Sequence, residues 1–150
     1  MVLENLKRLQ YICDITPGLL AEIDEESFSL KPGIDKWSKK EILGHLIDSA
    51  TNNHHRWVRA QFETSPSISY DQNKWNEFSH YNSIESMQLV KFWTLYNLQI
   101  FNLIKFIPEN NLQRLYNTGD KLVTLEWLFN DYLDHLEHHL HQIIDYQNEY

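Results

Sequence analysis

The chain has 150 residues, a formal net charge of −8, 42% hydrophobic and 13% aromatic residues, and only four Gly, four Pro and one Cys. That length and apolar share exclude a disordered polymer and lead us to expect one domain over residues 1–150, with a core that needs no disulfide or structural metal. The acidic balance and scattered basic residues exclude nucleic acid and anionic membrane as partners, and no segment reaches the about 18 apolar residues of a membrane span.

The first apolar residues are broken by Glu4, Lys7, Arg8 and Gln10, which is no signal-peptide pattern. A cytoplasmic location follows as the expectation, and Cys13, lying in an apolar stretch, reads as a buried thiol with no catalytic role. Apolar recurrence at three and four residues then predicts four amphipathic helices. The first spans about Val2 to Asp24, with a kink or break near Thr16, Pro17 and Gly18. Ser38 with Glu41 three residues later is a capping box and opens a second helix to about Phe62. Residues 63–82, rich in Ser and Asn and containing Pro66, read as a long loop that lets two helices run in the same direction. A third helix runs from about Ser83 to Phe106, stopped near Pro108. After the turn signal Asn117-Thr118-Gly119-Asp120, Thr124 caps a last helix to about Tyr146.

Four of the eight histidines fall within seven positions of that last helix, at 135, 138, 139 and 141. Residues four apart share a face, so His135 and His139 can aim at one ion, as can His138 with Gln142. Helical phase separates the pairs: at about 100° per residue, His139 lies about 55° and His135 about 95° from the centre of the apolar face, while His138 and His141 lie about 150° away. The second helix offers His45 at the border of its own apolar face, followed by the polar strip Ser49, Asn52, Asn53 and Arg56. His54, His55, His80, His138 and His141 are assigned to solvent or hydrogen bonding. Asp48 is a candidate for orienting a ligand imidazole, and Tyr70 and Trp75 in the long loop are candidate pocket walls. No His-Glu-x-x-His is present, and the only Glu-x-x-His spacing, Glu77 to His80, falls in the loop.

Three stretches resemble the DinB/YfiT-like metalloenzyme family and its bacillithiol transferase group. They are Trp37-Ser38 with Glu41-Ile42-Leu43-Gly44-His45-Leu46-Ile47-Asp48-Ser49; Ser67-Ile68-Ser69-Tyr70-Asp71 with Trp75; and Thr124-Leu125 with His135 to Ile143. The resemblance covers most of residues 37–146. It implies an all-α four-helix bundle in up-down-down-up order, a homodimer, and one divalent metal ion on His45, His135 and His139. Pro32-Gly33-Ile34-Asp35 and Asn52-Asn53-His54-His55 depart from the family pattern.

Three imidazoles leave coordination positions open, as in catalytic sites, and suit zinc, nickel, copper and iron alike, so supply decides; zinc or nickel is the first expectation, with manganese or iron as alternatives. The expected activity is thiol S-transfer, in which the ion stabilises the sulfur of a low-molecular-weight thiol such as bacillithiol for a small electrophilic substrate. Asn53, Arg56 and Tyr70 are the expected substrate-binding residues. The alternatives are a hydrolase with a metal-activated water and Asp48 as base, and a non-enzymatic interaction bundle.

Overall fold

The computed structural model describes all residues from Met1 to Tyr150. Four long helices carry the fold: α1 (Val2–Ala21), α3 (Lys39–Ala60), α5 (Ser86–Phe106) and α7 (Leu125–Leu140). Shorter pieces join them: α2 (Glu25–Ser29), α4 (Gln72–Ser79), a 3-10 turn at Tyr81–Ser83, α6 (Glu109–Leu112), and an antiparallel hairpin of β1 (Leu115–Asn117) and β2 (Leu122–Thr124). No helix is long and apolar enough to cross a membrane.

Cross-helix pairs give the direction of each member. Asn5 reaches Asn130 and Arg8 reaches Asp134 and Glu137, so α1 and α7 run parallel. On α3, His45 meets His135 while Trp57 meets Phe129 and Tyr132, so α3 and α7 are antiparallel. Lys40 donates to the Ile84 carbonyl and His54 meets Tyr96, so α3 and α5 run parallel. The start of α1 shares a cavity wall with Ile104 and Lys105 at the end of α5, which makes that pair antiparallel. The order is up-down-down-up, as the resemblance implies. The parallel neighbours α3 and α5 require the long crossover between them.

The core lies between these four faces. Leu9 and Ile12 of α1, Leu43, Ala50 and Trp57 of α3, Trp93 and Ile100 of α5, and Phe129 and Leu133 of α7 are fully buried. Burying a Leu, Ile or Phe side chain contributes about 1.5–3 kcal/mol. A polar pair sits at its centre, where Tyr132 Oη donates to Asn97 Oδ1 at 2.6 Å. The capping box on α3 is formed as the sequence predicts, with Ser38 Oγ accepting from the Glu41 amide and the Glu41 carboxylate accepting from the Ser38 amide.

Four boundaries differ from the sequence reading. Helix α1 is one piece with Pro17 inside it, because Thr16 and Leu20 are fully buried and the missing donor lies near the helix end. It stops at Ala21, since the Asp24 carboxylate accepts from the Ser27 amide and starts α2 instead. The loop after α3 contains α4, capped by Asp71. Helix α7 stops at Leu140 rather than near Tyr146: the chain turns, Ile143 and Ile144 bury, and the tail runs back to α1, where Tyr11 Oη donates to the Gln147 carbonyl.

The crossover is fastened at both ends. Arg114 donates to the Ala60 and Glu63 carbonyls at the end of α3, and Tyr116 Oη donates to the Ile68 carbonyl. At the other end the Tyr81 ring lies so close to Gly44 that a Cβ there would fall 2.1 Å from Tyr81 Cδ2. Only a glycine lets the ring approach that backbone.

Candidate metal centre

Helix α3 presents His45 and, one turn on, Ser49; antiparallel α7 presents His135 and His139 one turn apart. The two pairs meet across the seam. One ring nitrogen from each of His45, His135 and His139 lies within 4.8 Å of one from each of the others, and His45 Nε2 and His135 Nε2 are 3.0 Å apart. The ring centroids are 4.7–4.9 Å apart and the rings cross edge-on at 73–78°. Nitrogens bound to one zinc at about 2.0–2.1 Å stand about 3.4 Å apart in a tetrahedron, so the cluster needs only side-chain adjustment to fit an ion.

Electrostatics favour the same use. Burial, then the neighbouring imidazoles, holds His45 down to about 3 and His135 down to about 4. His139 is lowered too, again mainly by burial. All three are therefore neutral near pH 7, the form that ligates metals. Two of the three have their remaining nitrogen occupied: His139 Nδ1 pairs with Gln142 Oε1 at 2.9 Å, and His135 Nδ1 with Ser49 Oγ at 3.5 Å. With Nδ1 donating in each, the Nε2 lone pairs are left facing the cluster. His45 Nδ1 is buried without a partner, and its ring packs 5.0 Å from Trp37.

A polar cavity of about 390 Å³ opens beside His135. Its wall includes Ser49, Asn53, Arg56 and Tyr70, which sequence reading selects, and Asp131, Asp134 and His138, which it does not. His138 is exposed, as its phase predicts, yet it still borders this cavity. Arg56 is partly engaged by the protein itself: Nε and Nη2 donate to the Ile68 carbonyl and Nη1 to Asn53 Oδ1. Trp75 packs edge-on to Tyr70 at 5.3 Å, supporting it from the crossover. Asn52 turns inward, donating to the Asp48 carbonyl.

Asp48 does not orient an imidazole. Tyr81 Oη donates to its Oδ1, Oδ2 is buried without a partner, and burial pushes the carboxyl up to about 6. It points to the crossover because Gly44, one turn earlier, shares its face with Tyr81. Gln142, which sequence reading pairs with His138, approaches both histidines but makes the shorter contact with His139. The signal was its spacing of three from His139, visible only once α7 is known to stop just before it.

The fold is similar to YfiT from Bacillus subtilis, a four-helix bundle of unusual topology provisionally described as a metal-dependent hydrolase. The TM-score is 0.85 at 18% identity, over 95% of this chain and 83% of that one. It is also similar to the mycothiol-dependent maleylpyruvate isomerase, with a TM-score of 0.76 at 12% identity, over 93% of this chain and 60% of the other. In sequence it is 24% identical over 102 residues to a protein of Bacillus cereus strain AH820 provisionally named a metal-dependent hydrolase, covering 67% of this chain and spanning 58% of that relative's length. A protein of Halalkalibacterium halodurans with the same provisional name is 24% identical over 128 residues, covering 84% of this chain and 74% of the relative. A family model matches residues 9–143, a stretch that takes in all three converging histidines and both helices that carry them, and the chain therefore belongs to the DinB superfamily.

Proposed function

We propose that the chain is a divalent-metal-dependent enzyme that holds its ion with His45, His135 and His139 and transfers a low-molecular-weight thiol, such as bacillithiol, to a small electrophile. The observation that carries it is the convergence of three neutral imidazoles from two helices on the edge of a polar cavity. Zinc or nickel is the ion we expect, with manganese or iron as alternatives, since three imidazoles accept several divalent metals and supply decides. An ion held there supplies Lewis acidity, lowering the pKa of a thiol or water that reaches it.

The protein's own groups supply position. Ser49 Oγ and Gln142 Oε1 face Nδ1 of His135 and His139, and by accepting from those nitrogens they would leave each Nε2 free for the ion. Arg56 still has N–H donors beyond the three it gives to Ile68 and Asn53, and with Asp131 and Asp134 it offers both charge signs to a ligand. That mixture suits an amino-acid-like thiol carrying carboxylate and ammonium groups. Tyr70 closes the cavity from the crossover.

A second reading is metal-dependent hydrolysis, favoured by the provisional names of the sequence relatives. Asp48, whose carboxyl titrates near 6, is the base it would use, although its partner is Tyr81 rather than a histidine. One experiment separates the readings. Protein loaded with zinc or nickel is assayed with bacillithiol, glutathione and coenzyme A against an electrophile panel, and with an ester and amide panel. Conjugation lost in His139→Ala supports transfer; hydrolysis alone, lost in the same variant, replaces it. No metal uptake at all removes both and leaves an interaction bundle. The proposal includes one cytoplasmic domain that pairs as a homodimer, supported by the exposed Phe92, Leu95 and Phe106 along α5, and light scattering of the purified protein checks the mass.

A further inference from the structure

The hairpin stands behind the polar cavity rather than in its wall. Tyr116 on β1 is buried and does not line the cavity, yet its hydroxyl and its ring both bear on Arg56, which does. The hydroxyl donates to the Ile68 carbonyl at 2.7 Å and accepts from the Ile68 amide at 3.1 Å. The next residue, Asn117, donates its amide to the Pro66 carbonyl at 3.0 Å. Strand β1 therefore pins residues 66–68 of the crossover from outside, just before Tyr70 enters the cavity wall.

The same carbonyl is the anchor of Arg56. Nε and Nη2 donate to it at 3.2 and 3.0 Å, and the guanidinium carbon lies 5.4 Å from the centre of the Tyr116 ring. A long, flexible side chain is aimed by whatever holds its charge, and here that is a backbone oxygen held in turn by Tyr116. Of the five N–H groups, three are given to Ile68 and Asn53, leaving two for a ligand's anionic group. Asp134 already accepts from Arg8 and Asn130, whereas Asp131 on the same wall has no donor from the protein and is left for a ligand's positive group. Beyond Arg56 the contacts lengthen: Nη1 to Asn53 Oδ1 is 3.3 Å, Asn53 Nδ2 to Ser49 Oγ is 3.4 Å, and Ser49 Oγ to His135 Nδ1 is 3.5 Å. Contacts of that length are weak, so the hold of Tyr116 ends at Arg56 and does not extend to the imidazoles.

Resting on the reading that this cavity receives the anionic group of a substrate, we propose that Tyr116 is a positioning residue, which fixes the Ile68 carbonyl and through it the direction of Arg56. Tyr116 touches no ligand. It keeps the guanidinium turned towards the cavity before a carboxylate arrives, so binding does not have to order it. The hairpin, which sequence reading does not predict, thereby becomes part of the specificity for an anion.

Calorimetry on the zinc-loaded protein tests this with two probes, bacillithiol and succinate, a dianion without a thiol. Tyr116→Phe keeps the ring and loses the hydroxyl; it should weaken both probes about fivefold and raise the KM for bacillithiol with kcat within about twofold. Arg56→Gln should weaken both about twentyfold. Adding Tyr116→Phe to Arg56→Gln should cost less than about twofold more, because the residue it acts through is gone. Val123→Ala loosens the hairpin opposite Tyr116 without removing the hydroxyl; it should lower the urea midpoint and leave both affinities unchanged. Zinc affinity should stay within about twofold throughout. The inference is overturned if Tyr116→Phe leaves both affinities unmoved, costs the same factor with and without Arg56, is matched by Val123→Ala, or weakens zinc as much as the probes. Wild-type protein that binds neither probe overturns it too. Succinate binding that follows the expected pattern in a protein that conjugates no thiol would defeat the thiol-transfer reading and leave the role of Tyr116 standing.

Discussion

Helices α3 and α7 meet along their whole length, and the two ends of that seam pack alike but do different things. At one end Trp57 stands edge-on between Phe129 and Tyr132, with centroids 5.9 and 5.2 Å away. At the other, His45 stands edge-on between His135 and His139, at 4.9 and 4.7 Å. The same ring-against-ring geometry serves both ends, so the fold needs no special backbone to build the site. The difference lies in the rings. Carbon edges gain stability from burial, whereas buried imidazoles give up their easy protonation and expose lone pairs to one another. One end holds the bundle together, and the other is held by it.

The largest effect should come from breaking the carbon end. Trp57→Ala removes a fully buried indole and should destabilise the protein by about 3–5 kcal/mol in urea unfolding, with metal stoichiometry of the folded fraction unchanged. A loss below about 1 kcal/mol would mean that this end is not the anchor.

Making the ends alike is the next test. His45→Phe should keep the fold, since the ring space is already aromatic in shape, but lower zinc affinity at least about 100-fold, or about 2.7 kcal/mol, in chelator competition. Undiminished affinity would remove His45 from the ligand set.

Acid should act on one end only. His45 near 3 and His135 near 4 lie below the ordinary 6.5, so the unfolded chain takes up protons first as pH falls. Stability of the metal-free protein is therefore full above pH 6.5 and is lost on the way down to pH 4 and 3. Asp48, raised from 3.8 to about 6, works in the opposite direction over the upper part of that window, one group against two. A net loss of about 2 kcal/mol between pH 7 and 5 is expected, measured by denaturant midpoints, and shrinks in His45→Phe. Stability that rises over this range would contradict the burial of the imidazoles.

The smallest effect concerns the hydrogen bond that aims His139. Gln142→Leu should weaken zinc binding about tenfold, near 1.4 kcal/mol, and Gln142→Glu should restore it, because either oxygen can accept from Nδ1. Equal affinity in all three proteins would show that His139 is aimed by packing alone.

Much of this was readable beforehand where a signal is local. Ser38 with Glu41 and Thr124 are hydrogen-bonding caps whose chemistry acts within four residues, and both helices start where they indicate. Helical phase ranked four clustered histidines because burial of one face is a periodic property. It could not show that α3 and α7 meet at His45 and His135, and the family resemblance supplied that pairing. The parts that were missed depend on distant partners. The hairpin exists because Tyr116 and Asn117 reach back to Ile68 and Pro66. Helix α4, though capped locally by Asp71, is anchored where Asn76 donates to the Glu41 carbonyl. The early end of α7 follows from the tail returning to α1.

His45 and His135 are 90 residues apart in sequence and 3.0 Å apart in space. An ion shared between them would therefore act as a removable cross-link closing most of the chain into a loop, comparable in topology to a disulfide that a chelator can undo. Because the unfolded chain has no such site, metal at 100 times its Kd adds about 2.7 kcal/mol to global stability. Withdrawal of metal would be felt from the start of α3 to the end of α7, and not only at the three histidines themselves.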